Sequence, residues 1–463
     1  PEIGIYKREL CSPYNQLYAS WKNEHHLKKQ IENKIYNFFL NSSDFNGIPL
    51  RQISDDLEIE YEGSIDTIKT LVSDDKITIQ SSTNPHIIYS RLYPIDIQLK
   101  ILEDSKSWES TVKKIGEISF VSENTDFPIC LYPTETLLKS KRDLTEFGTA
   151  VYTKELAIAQ PHLKPIFFEI EVLERYANDP RFDFEFKDYS GRISCKYDEN
   201  GKPYVRKEDE VFLKTFGLGF DENEKRVAVA YLRYLSDLTP EHQIYWKSRE
   251  KGDNCKMLEE YHQNTIQGNW TSSYSIFSGL IGELSCLNEI SEIIFSKPLF
   301  RKNFNDEKRP REFTFFFTPT LKNYNDFVHL LDKMLSENIN KDFFKGKMEL
   351  FDIVEIENGM VERKTKGTIR LLEEWLLGIF KTEKENDLKD IFKPLKKVRR
   401  ERQNPAHRIS ENEYDDKFTE LQKKLVSDAY GSIRALRFIF QQHPKAKDFK
   451  IPDWLENGNI KTF

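Results

Sequence analysis

Apolar positions along this chain follow two rhythms, one of about 3.6 residues and one of two, and the rhythms alternate in blocks. Over 27–40 the longer period holds, with Ile31, Ile35, Phe38 and Phe39 on one face, so a helix is expected there. Asn41, Ser42, Ser43, Asp44 and Gly47 interrupt it. A short second helix is expected at 50–57 and a third at 64–72, where Ile65, Ile68, Leu71 and Val72 share a side. The period of two then appears at 76–80, and an apolar run follows at 86–93. The polar residues Ser81 to Pro85 between them predict a hairpin turn.

Three helices followed by a hairpin resemble a winged helix, which sets a first domain at 1–95. Its third-helix region carries Glu58, Glu60, Glu62, Asp66, Asp74 and Asp75 against Lys69. That is the wrong sign for a helix lying in a phosphate-lined groove. A protein partner is therefore expected at this domain in preference to DNA.

From 96 to 300 the pattern turns mixed α+β. Residues 165–175 suit a helix or a buried strand, 182–186 alternates as a strand does, 198–201 is a turn, and 226–235 continues as a strand or an apolar helix. Thr239 before Pro240 marks a helix start and makes His242 a first-turn residue. Trp246, Tyr261, His262 and Trp270 could line an aromatic pocket, but aromatics at this density belong to the core. Phe216-Gly217-Leu218-Gly219-Phe220 reads as a turn beside a strand. Nothing in this stretch names a ligand.

The basic, proline-punctuated stretch 297–311 marks the next boundary, and its Arg301, Lys302, Lys308, Arg309 and Arg311 are expected to extend an electropositive surface. Helices are expected at 324–338, 368–380, 385–402 and 411–442, with a hairpin at 350–362 turning at Asn358-Gly359. His443-Pro444 should end the last helix, and 451–455 should fold back onto the body. The third domain, 301–463, is thus expected to be a helical bundle. The whole chain reads as multidomain, mainly α with α+β.

Composition narrows this picture. A length of 463 residues allows two to four domains. Hydrophobic content of 38% beside 31% charged residues describes a well-solvated chain, and 13% aromatics promises ordered cores. No apolar run approaches a membrane span and the first residues carry no apolar leader, so a cytoplasmic location without a membrane partner is expected. Cys11, Cys130, Cys195, Cys255 and Cys286 are odd in number and widely spaced, as buried thiols in a reducing compartment would be. Zinc spacings, phosphate loops and nucleophile elbows are missing from the sequence, so no metal and no cofactor are expected.

Charge singles out 393–408. Lys393, Lys396, Lys397, Arg399, Arg400, Arg402 and Arg408 stand against Glu401 alone, seven positive groups less one negative, or about +6, in a chain whose net charge is −7. A phosphate-bearing partner is drawn to such an island, because neutralising phosphates releases condensed counterions. Pro405 should end the helix through Arg402, leaving His407 just past the bend. Both side chains can then converge on one spot. An arginine offers a planar fork to a phosphodiester and a histidine moves protons near neutrality, so the pair could cleave RNA without a metal. A basic helix end capped by a histidine is the plainer reading of the same residues.

Arg402-Gln403-Asn404-Pro405-Ala406-His407, set between two long helices, resembles the signature of the HEPN superfamily of ribonucleases. The resemblance covers the last third of the chain. It implies that Arg402 and His407 are the catalytic pair, that cleavage needs no metal, and that two copies of the motif face each other across a homodimer. The family commonly has Asn directly after the arginine; here Gln403 stands there and Asn404 follows, so Asn404 is the expected positioning residue. Lys396, Lys397, Arg399, Arg400, Gln403 and Arg408 are expected to bind RNA. Such fusions fit toxin, antiviral-defence or RNA-processing roles. A non-catalytic regulator, with a winged helix for DNA or a protein and a bundle for dimerisation, is the alternative.

Overall fold

The computed structural model describes residues 13–42, 45–81, 87–88, 92–115, 118–123, 128–252, 254–269, 273–305, 308–355, 361–380, 385–403, 411–457 and 460–462. The chain is multidomain, and helix outweighs strand with several mixed sheets. Two compact units divide it, and neither is continuous in sequence. The first takes Pro1–Phe167, Val205–Leu213 and Ala230–Glu250; the second takes Phe168–Tyr204, Lys214–Val229 and Lys251–Phe463.

The first unit contains α1 (Pro13–Asn41), β1 (Ile48–Pro49), α2 (Leu50–Leu57), α3 (Tyr61–Ser73) and β2 (Ile77–Ser81). The helices form where the apolar spacing puts them. Ile31 and Ile35 of α1, Ile53 of α2 and Ile65, Ile68 and Leu71 of α3 share one buried core.

The partner of β2 is not the one the spacing predicts. None of the described residues in 86–93 is in a strand, and Leu92 and Tyr93 are exposed. Instead β2 pairs antiparallel with β5 (Ile129–Pro133), Ile79 opposite Leu131, and β5 also pairs with β1. The fold needs a strand apolar on both faces at the centre of this sheet, and β5, Ile-Cys-Leu-Tyr-Pro, is buried at every position. Between β2 and β5 the chain carries α4 (Ile95–Ser105) and the hairpin β3 (Ser110–Ile115) and β4 (Ile118–Glu123). Most of the expected turn at Ser81 to Pro85 lies outside the described residues. Helix α4 packs on α3, and the ion pairs Lys69–Glu103 and Lys106–Asp66, each 2.6 Å, tie the two together.

Later in this unit, Thr239 does stand before the Pro240–Lys247 helix, but its hydroxyl donates to the Glu208 carbonyl at 2.9 Å and caps nothing. His242 is buried with Nε2 3.1 Å from the Asp209 carbonyl, a structural contact, and Trp246 is core.

The second unit contains a sheet of β6 (Phe182–Lys187), β7 (Ser190–Cys195), the Lys214–Phe220 part of β8 (Phe212–Phe220) and the Arg226–Val229 part of β9 (Arg226–Tyr231), with β10 (Lys256–Met257) also on β8. The glycine pair expected at a turn lies inside β8. A side chain at Gly217 would sit 2.3 Å from the Tyr261 ring, and one at Gly219 would sit 2.5 Å from the Lys256 carbonyl oxygen. The glycines let a ring and a strand approach the backbone closely. Arg309 and Arg311 do not extend a basic surface as expected. Both are half-buried, and they donate to the carbonyls of Phe313 (2.8 Å) and Phe182 (3.2 Å) respectively.

Five long helices follow: α5 (Ile276–Phe295), α6 (Leu321–Leu335), α7 (Thr368–Ile379), α8 (Glu385–Gln403) and α9 (Lys417–Gln441). Helix α5 packs along α9, while α8 touches α6, α7 and α9. A wholly buried ion pair joins α5 to α9: Arg437 donates to both carboxylate oxygens of Glu283, at 2.6 and 3.0 Å. Two parallel hydrogen bonds offset part of the desolvation cost and fix the register of the two helices. The ribbon β11 (Phe351–Glu355) and β12 (Val361–Thr365) forms as predicted, and its turn at Asn358-Gly359 lies outside the described residues. Past α9, Ile451 and Leu455 are buried and Trp454 stacks on Tyr274. Among the described residues no helix is long and apolar enough to cross a membrane.

Candidate active site

Helix α8 presents the basic motif. Leu388, Phe392, Leu395 and Val398 recur at three- and four-residue spacing and are buried, which turns the lysines and arginines to the remaining faces. Pro394 sits inside this helix and removes one backbone donor; next to the break, the Ser432 hydroxyl of α9 donates to the Ile391 carbonyl. The helix is described through Gln403, and the end or kink expected at Pro405 lies outside the described residues. Asn404, His407 and Arg408 lie outside the described residues.

The described part of the island is largely neutralised by carboxylates that lie outside it, one on α8 itself and the others from distant parts of the chain. Lys393 pairs with Asp390 (2.7 Å) and Lys396 with Glu373 of α7 (2.6 Å). Arg399 and Arg402, one turn apart on α8, both reach Asp332 of α6, at 2.6 and 2.9 Å. Arg402 Nη1 also donates to Glu337. Lys397 and Arg400 have no ion-pair partner among the described residues, and Gln403 is exposed. The field of about +6 read along the sequence is therefore much reduced once Glu373, Asp332 and Glu337 are in place.

Asp332 is the anchor of this arrangement. It is fully buried, it also accepts from the Ser336 hydroxyl, and two guanidinium groups converge on one of its oxygens. Nothing in the charge pattern of 393–408 points to it. The signal was in α6 itself, where Asp332 stands among Val328, Leu331 and Leu335 on the apolar face; an acid at such a position asks for a cation.

His329, one turn before Asp332, was also missed. Arg402 donates through Nε to His329 Nδ1 at 3.2 Å, and a ring that accepts at Nδ1 carries its proton on Nε2. Arg402 is thus held on three sides, by Asp332, Glu337 and His329, while no described residue accepts from its Nη2. Its side chain is 27% exposed. Chemically this is a guanidinium anchored through Nε and Nη1, with Nη2 left to donate, beside an imidazole. Among the described residues no cluster of three or more His, Cys, Asp or Glu is placed to hold a metal ion. Compared with known proteins, the chain matches no family model, no curated protein and no solved structure.

Proposed function

We propose that the chain is a metal-independent endoribonuclease whose centre lies at the C-terminal end of α8. The observation that carries this reading is the seating of Arg402: Nη1 rests on buried Asp332 while Nη2 has no acceptor among the described residues. Orientation set before a ligand arrives is what a phosphodiester site needs, since the guanidinium need not be ordered on binding. Glu337 is a partly exposed partner that an incoming phosphate can replace.

In this reading Arg402 binds and orients the phosphodiester, His407 is the general acid or base, and Asn404 positions either. The neighbouring 2′-hydroxyl gives up its proton and attacks phosphorus; the 5′-oxygen leaves and takes up a proton. The products carry a 2′,3′-cyclic phosphate and a 5′-hydroxyl, a route open to RNA and closed to DNA. Lys397 and Arg400, which have no ion-pair partner among the described residues, supply charge along the RNA path with Lys396, Arg399 and Gln403 beside them, and Arg408 is read as a further RNA contact. Helices α5 to α9 are read as the HEPN-like bundle, two copies of which would meet in a homodimer. Helices α1 to α3 with β1, β2 and β5 are read as a winged helix that carries an insertion in its wing and contacts a protein. A cytoplasmic toxin, antiviral-defence or RNA-processing role fits this combination. The test is digestion of labelled RNA by wild type and by His407→Ala, with binding measured in parallel.

One observation favours a second reading. Four of the six described cations in the island already have carboxylate partners, and two of them, Arg399 and Arg402, tie α8 to α6, as expected in a non-catalytic regulator or nucleic-acid-binding dimer. Binding that follows the charge of Lys397 and Arg400 without cleavage would select it.

A further inference from the structure

Three stretches far apart in sequence meet in the second unit beyond the end of α5. Phe300 forms a β-bridge with Ile339, and around it Arg301 N donates to the Asn338 carbonyl and Asn340 N to the Leu299 carbonyl, each at 2.8 Å. Lys297 Nζ reaches the Asp342 carbonyl at 3.4 Å, and Lys445 Nζ reaches the Ile294 carbonyl at 3.3 Å. These contacts gather Lys297, Arg301, Lys302, Lys345, Lys347 and Lys445 in one region of the surface, and all six are exposed.

The charges gathered there are mostly without acids of their own. Among the described residues Asp342 is the only carboxylate that pairs with any of the six, through Lys345 at 2.6 Å. Lys345, with Lys297 and Arg301 nearby, holds the Asp342 carboxyl below the usual carboxylate range. Glu292, Glu349 and Asp448, exposed on flanking residues, pair with none of the six, and Asp306 and Glu307 lie outside the described residues. Lys347 lies over the rings of Phe343 and Phe295, with Nζ 3.6 and 4.4 Å from their centroids, so ring faces and not a carboxylate hold its ammonium. The surface also adjoins the candidate centre. Asn338 accepts from the Lys302 N–H and donates to the Lys302 carbonyl, both at 2.9 Å, and the residue before Asn338 is Glu337, the partner of Arg402.

We infer that this surface carries the phosphate backbone of single-stranded RNA away from Arg402, across Arg301 and Lys302 and on to Lys297, Lys345, Lys347 and Lys445. Exposed cations that lack acids of their own gain by releasing the counterions condensed on a polyphosphate, and a charged track of this kind follows a single strand whatever its bases. The inference rests on the RNA reading of the Arg402 site and extends it by several nucleotides beyond the basic motif.

The experiment is fluorescence anisotropy of the full chain with a labelled 2′-O-methyl oligouridylate of about 20 nucleotides, which keeps the phosphates and lacks the free hydroxyl that cleavage needs. Arg301→Gln with Lys302→Gln, and Lys297→Gln with Lys345→Gln, are compared with Lys100→Gln with Lys154→Gln, which makes the same charge change on exposed residues of the first unit. Each surface pair should weaken binding at least about tenfold at low salt and lower the slope of log K against log salt by about one, while the control pair does neither. All three should melt like wild type, because exposed ion pairs contribute little to stability. Wild-type binding that both surface pairs leave intact, or that the control pair weakens as much, overturns the path and leaves the RNA reading in place. Binding lost in the surface pairs while wild type cleaves no RNA supports the path and removes only the nuclease. Wild type that binds vesicles of phosphatidylserine and phosphatidylcholine through these residues, and no RNA, overturns the choice of partner and the RNA reading together.

Discussion

Arg402 Nη1 donates to Asp332 Oδ2 at 2.9 Å, joining the exposed end of α8 to a fully buried carboxylate of α6. Arg399 shares the same oxygen at 2.6 Å. One acid thus holds two arginines in register, and the direction in which Arg402 points is a property of the packing of two helices. The proposed chemistry depends on that direction, so it can be tested from both ends of the bond.

His407→Ala should lower RNA cleavage by roughly 100-fold or more, the scale of general acid–base catalysis, with RNA affinity little changed. His329→Ala is the control that separates the two histidines. If His329→Ala abolishes cutting while His407→Ala cuts like wild type, the proton carrier is the residue on α6. Full activity in both variants removes the catalytic assignment altogether.

Arg402→Lys keeps the charge and loses the planar fork. Nζ can still reach Asp332, but one ammonium cannot hold the carboxylate and present an oriented corner to a phosphate at once. Turnover should fall at least about tenfold with a smaller change in binding. Cleavage that survives the swap unchanged counts against an oriented phosphate contact. Excess EDTA should leave wild-type turnover intact, and its abolition by chelation would reverse the metal-independent reading.

Asp332→Asn attacks the same bond from the other side. It leaves Arg399 and Arg402 without their shared anion, and because both side chains keep contact with solvent the cost is set at about 1–2 kcal/mol, below that of breaking a fully buried pair. For a unit of this size that is a drop of roughly 2–8 °C in melting temperature. A larger loss of activity than the residual folded fraction explains would show that orientation of Arg402, beyond stability, matters. Activity equal to wild type in the folded variant would sink the idea.

Light scattering at micromolar concentration should report a dimer, with specific activity falling on dilution as the dimer dissociates. A monomer that cleaves at a rate independent of dilution would show that each chain carries a complete centre.

The α3 region should bind duplex DNA weakly or not at all. Its Lys69 is paired with Glu103, and α4 packs on the same helix. A fluorescence-anisotropy titration of the full chain against mixed-sequence duplex is the appropriate assay, because a fragment ending at residue 95 would lack the β5 strand that pairs with β2. Nanomolar, sequence-specific binding lost on a charge reversal in α3 would overturn this expectation.

The sequence alone was enough for what depends on neighbours along the chain. The spacing of Ile65, Ile68 and Leu71 specifies a helix and Phe182 to Phe186 alternates into a strand, because each of these is a local matter of backbone geometry and one buried face. Arg402 was legible as the last turn of a basic helix for the same reason. Tertiary structure alone decided which strand lies beside β2, why Gly217 and Gly219 are glycines, and how much of the island's charge remains unpaired. A charge count along 393–408 cannot see Asp332 or Glu337, which arrive from 65 to 70 residues away, any more than the alternation at 77–81 can see its partner at 129–133. Those partners are brought in by burial of apolar faces on other helices and strands, and the ion pairs follow from where that burial puts them.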